Sequence, residues 1–340
     1  MHAVLLLNLG SPRSYSVKDV RSYLNEFLSD ERVLDGPYWF RKLILHACIL
    51  PFRPKRSAEA YKSVWTKDGS PLLCTSYKQR DLLQAELDCP VAVAMRYGSP
   101  SIPDVIQELR DKGVSHLFVM PLYPQYAMSS YETVLVKTMD CIEAYAPDMQ
   151  VKVLQPFYED PDYIEALCAS AKPYLSEGFD HLLFTFHGLP KRHLGITDCS
   201  KAHCLKRKNC CKLDNPAHAT CYRHQCFKVV ELFTNKLGLD PKTYSVSFQS
   251  RLLRDPWLDP FTDHTVTRLA KEGTKRLLVI SPSFVADCLE TLEEIAIAAK
   301  ENFLEHGGES LQLIPCLNEH PLFIRFLKKQ VQPWLAQSKA

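Results

Sequence analysis

Glycine is scarce in this chain, 12 of 340 residues, and no G-x-G-x-x-G or G-K-[ST] loop follows any apolar run. Nucleotide phosphates are cradled by such loops because only a backbone without Cβ approaches them closely; their absence argues against a nucleotide cofactor. An excess of one charge is lacking too. The formal net charge of +2 gives no footprint for nucleic acid. No apolar run approaches the roughly 20 residues that a spanning helix needs. The first strand is expected from Ala3, which leaves no room for a cleavable leader. Absent as well are C-x2-C pairs, the usual mark of a zinc site, and any cysteine after Cys316. Cysteine itself is abundant, at 13 residues. Seven of them (Cys48, Cys74, Cys89, Cys141, Cys168, Cys288, Cys316) are scattered singly, which fits free thiols in a reducing cytoplasm rather than a secreted disulfide scaffold.

Short apolar runs recur at 3–9, 91–96, 115–121, 151–155, 180–186, 243–248, 276–281 and 311–315. They are rich in Val, Leu and Ile and do not alternate with polar residues, as expected of parallel strands buried on both faces. Between them, 17–29, 72–87, 102–112, 129–144, 161–176, 222–237, 262–272, 286–304 and 320–336 follow the helical period. The alternation predicts an α/β fold, with ligands beyond the carboxyl ends of strands. A loose internal echo relates the runs after residue 90 to those after residue 243. It suggests two similar Rossmann-like lobes, each a parallel sheet flanked by helices, with the site in the cleft between them. The expected division is 1–165, 166–315, and a last helical segment, 316–340, folding back onto the first lobe.

Two strand ends carry chemistry. The run Leu182 to Phe186 stops at His187-Gly188-Leu189-Pro190, and the run Leu277 to Ile280 leads into Asp287, Glu290 and Glu294. If one helix carries all three acids, they fall within about 60° of one another and repel unless a cation or a proton path lies before them. An imidazole near its usual pKa accepts protons or binds metal. The plainer readings are a hydrogen-bonded strand-end histidine and a solvated acidic face.

These two segments, Phe186-His187-Gly188-Leu189-Pro190 and Ala286-Asp287-Cys288-Leu289-Glu290-Thr291-Leu292, resemble the signatures of ferrochelatases, which insert ferrous iron into porphyrin. So do Leu7 to Pro12, Arg96-Tyr97, Tyr123 to Tyr126, Gln249-Ser250-Arg251 with Pro256-Trp257-Leu258, and Asn318 to Phe323. The resemblance implies a chelatase-like fold, with Fe²⁺ and porphyrin as substrates. It implies that His187 and Glu290 are the essential pair, and that Asp287 and Glu294 continue the acidic track for iron. It places Leu9, Arg96, Tyr97, Tyr123, Trp257 and Phe284 on the porphyrin, and Arg53, Arg56, Tyr61 and Ser70 on its propionates. Many relatives have His where Cys288 stands. Relatives using coproporphyrin usually have Tyr where Leu9 stands, which favours protoporphyrin IX. Coproporphyrin III, another tetrapyrrole with cobalt or iron, and a bilobal carrier of iron or haem without chemistry remain as alternatives.

Six cysteines crowd into the stretch 195–226: Cys199, Cys204, Cys210, Cys211, Cys221 and Cys226, among Lys201, Lys206, Arg207, Lys208 and Lys212. Iron–sulfur clusters tolerate varied spacings and some ferrochelatases carry one, so a 2Fe–2S cluster is expected here, ahead of zinc or no metal. The expected ligands are Cys199, Cys204, Cys210 and Cys211, with Cys221 or Cys226 as substitutes. Residues 34–56 combine Tyr38, Trp39, Phe40, Leu43 and Phe52 with Arg41, Lys42, Arg53, Lys55 and Arg56. Such a segment suits a membrane interface, so the expected location is the cytoplasm, or the inner face of the cell membrane; a core helix with basic ends is the alternative.

Overall fold

The computed structural model describes residues 1–252 and 255–337. All eight apolar runs form strands: β1 His2–Ser11, β2 Val91–Gly98, β3 His116–Pro121, β4 Gln150–Val153, β5 His181–His187, β6 Tyr244–Gln249, β7 Arg276–Ile280 and β8 Ser310–Leu313. They build two four-stranded sheets, ordered β2-β1-β3-β4 and β6-β5-β7-β8. Every pairing is parallel. The second order repeats the first with each strand number raised by four, so the echo in the sequence corresponds to a repeated topology.

The chain divides into two compact units, residues 1–123 with 128–155 and 324–340, and residues 124–127 with 156–323. In the first, Val4, Leu5, Leu6 and Leu7 of β1 are all fully buried, as a strand covered on both faces requires. Leu5 and Leu7 join Val119, Ile106, Val134 and Ile142 in one core. Helices α1 Val17–Ser29, α2 Tyr38–Leu43, α3 Arg53–Val64, α4 Pro71–Ala85, α5 Ile102–Asp111 and α6 Thr133–Tyr145 accompany this sheet. The α1 start is set by Ser16, whose hydroxyl accepts the Asp19 N–H at 3.2 Å.

The second unit repeats the plan with α7 Pro161–Ser176, α8 Lys191–Thr197, α9 Tyr222–Leu237, α10 Thr262–Lys271, α11 Leu289–Leu292 and α12 Lys300–Glu305. Its core joins Leu183 and Val279 to Val266, Leu269, Ile295 and Phe303. Truncating the fully buried Phe303 to Ala would cost about 3–5 kcal/mol. The last helix, α13 Pro321–Gln337, carries Trp334, whose ring meets His2 at 4.9 Å and Phe118 at 5.4 Å.

One expectation fails. The helix after β7 does not carry Asp287, because Cys288 is extended (φ −145°, ψ −176°) and caps a helix that begins at Leu289. A π-helical turn, Glu294–Ala299, follows that short helix, so the 100° spacing does not run unbroken through Glu294.

Candidate active site

In each sheet the strand order reverses between the first and third strands, and the loops beyond that switch point are where α/β sheets bind ligands. In the second unit, the switch point lies between β5, which ends at His187, and β7, whose exit loop reaches Glu290.

His187 pairs with Gln249 in the β5–β6 register. Its Nδ1 lies 2.7 Å from the carbonyl oxygen of Gly188, which only accepts, so Nδ1 is the donor; in the neutral ring this leaves the lone pair on Nε2. The Phe284 ring lies edge-on to the imidazole, 6.5 Å away. Gly188 is required by close approach: a Cβ would fall 2.7 Å from the Ser250 carbonyl oxygen and 2.9 Å from that of Gln249. Its own N–H donates to Gln249 O at 2.6 Å. The Trp257 segment is pinned to the same turn, since Lys191 N–H donates to Pro256 O and Leu258 N–H to Leu189 O. The Trp257 indole N–H donates to Leu252 O at 2.9 Å. The exit loop of β7 is held by the Tyr163 hydroxyl, which donates to Pro282 O, and by the contact of Tyr222 and Ser283 hydroxyls.

Gln249 links strand end to acids. Its side-chain amide donates to the backbone carbonyl of Glu290 at 2.7 Å and, more weakly, to the Glu294 carboxylate at 3.4 Å. The Ser250 hydroxyl also donates to Glu294. Loss of hydration, then the charge of Glu290, push the Glu294 carboxyl up to about 7. Asp287 has partners of its own. Its carboxylate accepts from the Asn318 amide at 2.7 Å and from the Cys316 N–H. None of Asp287, Glu290 and Glu294 forms an ion pair among the described residues. Burial pushes the Cys288 thiol well up, so it stays protonated beside Glu290.

The first unit's switch point has a different character. Asp30, at the end of α1, was not singled out in the sequence, yet it collects Arg96, Tyr97 and Thr133. Its carboxylate accepts from the Arg96 guanidinium, from the Tyr97 hydroxyl at 2.8 Å and from the Thr133 hydroxyl at 2.5 Å. No local pattern announces it; the partners lie 66, 67 and 103 residues away. Burial drives the Tyr97 phenol far above its usual range. The Tyr123 hydroxyl is buried without a hydrogen-bond partner among the described residues. Leu9 lies near the end of β1. Arg53 and Arg56 are exposed on the first turn of α3, which also carries buried Tyr61, and buried Ser70 precedes α4.

Among the six clustered cysteines, contacts select a subset. Cys204, Cys211 and Cys221 are free thiols, and the first two each lie within hydrogen-bonding reach of the third. Sulfur also accepts from nitrogen: the Leu205 backbone N–H donates to Cys210 Sγ at 3.4 Å, and the Arg223 guanidinium donates to Cys211 Sγ at 3.2 Å. Nitrogens of His203, His218 and His224 bond to the carbonyls of Cys210 or Cys211, so those nitrogens are donors. Cys199 is exposed, and Cys226 is buried in α9. Among the described residues, no group of three or more His, Cys, Asp or Glu side chains is arranged to hold a metal ion.

Two four-stranded parallel sheets with a repeated order define a chelatase fold. The sirohydrochlorin chelatase SirB of Bacillus subtilis subspecies spizizenii, solved with cobalt, superposes with a TM-score of 0.54 over 97% of this chain and 94% of its own, at 11% identity. SirB from Bacillus subtilis with Fe³⁺ gives 0.55 over 99% and 97%, at 12% identity. Sequence resolves the family within that fold. The ferrochelatase family model matches residues 1–334. A ferrochelatase of Opitutus terrae is 52% identical over 99% of this chain and 98% of its own, and one of Ectopseudomonas mendocina 51% identical over 96% of each. The chain belongs to the ferrochelatase family.

Proposed function

We propose that the chain inserts Fe²⁺ into protoporphyrin IX, with His187 taking protons from the macrocycle and Glu290 receiving the metal. Insertion exchanges two pyrrole protons for one dication, so a base and an anionic approach are both needed. The carrying observation is Gln249, the register partner of His187, which also holds Glu290 and Glu294. That supports a pairing of an imidazole with carboxylates that form no ion pair among the described residues. Asp287 and Glu294 would extend the acidic approach. Leu9, Arg96, Tyr97, Tyr123, Trp257 and Phe284 would contact the ring, and Arg53, Arg56, Tyr61 and Ser70 its propionates. Leu9 favours protoporphyrin, since relatives using coproporphyrin usually carry Tyr there. Assaying both porphyrins with Fe²⁺ under anaerobic conditions tests this; faster metallation of coproporphyrin III would reverse the substrate assignment.

The thiol contacts support a 2Fe–2S cluster on Cys204, Cys210, Cys211 and Cys221, with Cys221 replacing the exposed Cys199. N–H donors already directed at Cys210 and Cys211 suit cluster thiolates. Protein isolated without oxygen should absorb in the visible range and contain iron and sulfide. Colourless protein free of both would refute the cluster.

The segment 34–56 forms α2, a π-helical turn and the start of α3. Tyr38, Trp39 and Phe52 are 68%, 68% and 75% exposed, an apolar surface beside exposed Arg53, Lys55 and Arg56. No helix among the described residues is long and apolar enough to cross a membrane. Docking of this surface on the inner face of the cell membrane would bring an apolar porphyrin within reach.

A further inference from the structure

We propose that Asp30 is a positioning residue for metal insertion, which fixes Arg96 and Tyr97 and cancels the guanidinium charge that Fe²⁺ would otherwise meet. The inference rests on the proposed contact of Arg96 and Tyr97 with porphyrin.

The Asp30 side chain is 4% exposed and that of Arg96 16%. Three donors converge on Asp30 Oδ2, and the Arg32 N–H holds Oδ1 at 2.8 Å. Thr133 closes a triangle, since its hydroxyl donates to Asp30 and accepts Arg96 Nε at 2.9 Å. The guanidinium also lies 4.5 Å from the centre of the Tyr97 ring. Arg96 thus spends Nε and Nη2 on this network, and Nη1 makes no hydrogen bond among the described residues. A guanidinium so held is fixed in angle, which an isolated arginine is not. It is also neutralised. A buried cation stripped of its counter-charge repels a dication far more strongly than it would in water.

Replacing Asp30 by Asn keeps the shape and an acceptor oxygen but removes the charge. Asp30→Asn should lower kcat/KM about tenfold, chiefly through a higher KM for Fe²⁺, while KM for porphyrin moves less. Arg96→Met removes the cation, so Asp30→Asn added to it should cause no further rise in KM for Fe²⁺. Should Asp30→Asn fail to fold, Thr133→Val tests the positioning alone: it leaves the ion pair but releases Arg96 Nε, so kcat/KM should fall about threefold with KM for Fe²⁺ unchanged, and a wild-type kcat/KM would overturn the inference. Wild-type KM for Fe²⁺ in the charge variant, or full additivity in the double variant, would overturn the inference. Failure of the wild-type protein to metallate porphyrin would instead remove the proposed function.

Discussion

The two switch points share one topology and solve electrostatics in opposite ways. In the first unit the charged groups are matched: Asp30 meets Arg96, and two hydroxyls complete the carboxylate's shell. In the second, Gln249 holds the Glu290 backbone carbonyl, and the Glu294 carboxylate has amide and hydroxyl partners; neither acid forms an ion pair among the described residues. A matched ion pair holds its geometry and attracts little. Unmatched carboxylates hold protons or invite a cation, and the raised pKa of Glu294 is the signature of that tension. The proposed function uses this difference: binding at the first switch point and chemistry at the second.

The strongest way to break the comparison is to remove the base. His187→Ala should lower kcat for metallation by about 10³-fold while porphyrin binding, followed by fluorescence quenching, survives. Glu290→Gln should cost about 10²-fold and raise KM for Fe²⁺, because an amide keeps the shape but not the charge. Variants at the exposed surface sharpen the contrast from the other side. Trp39→Ser with Phe52→Ser should weaken binding to anionic vesicles about tenfold in a flotation assay, with a much smaller change in kcat. The smallest effect concerns stability. A carboxyl whose pKa rises from its ordinary value to about 7 on folding keeps its proton in the native state, so its contribution is present at low pH and is lost as pH rises through that window. Glu294→Gln should therefore gain on the wild type between pH 5 and pH 8, by about 3 °C in Tm. A difference in Tm that stays constant across that range would mean that Glu294 is ionised throughout.

Much of the frame was legible before any coordinates. Non-alternating Val, Leu and Ile runs announce doubly buried strands, and all eight form. The helices at 17–29, 161–176 and 222–237 keep their expected bounds. Ser16 and Pro161 supply clear starts for the first two. The end of β5 at His187 was equally plain. What the sequence hid is non-local or depends on one dihedral. Periodicity carried the helix back through Asp287, whereas an extended Cys288 turns that carboxylate to Asn318. Asp30 looks like an ordinary polar helix end until Arg96 arrives from β2. In the cysteine insertion, the expected set was Cys199, Cys204, Cys210 and Cys211 with Cys221 as a substitute, and no local pattern announced that Cys221 lies within reach of Cys204 and Cys211.

The most direct test is anaerobic formation of haem from Fe²⁺ and protoporphyrin IX by the wild-type protein and by His187→Ala, each with its porphyrin affinity measured alongside. Rapid metallation by the wild type, and near-complete loss in the variant at unchanged affinity, is the predicted result. Equal rates from the two proteins would contradict the assignment of chemistry to the second unit.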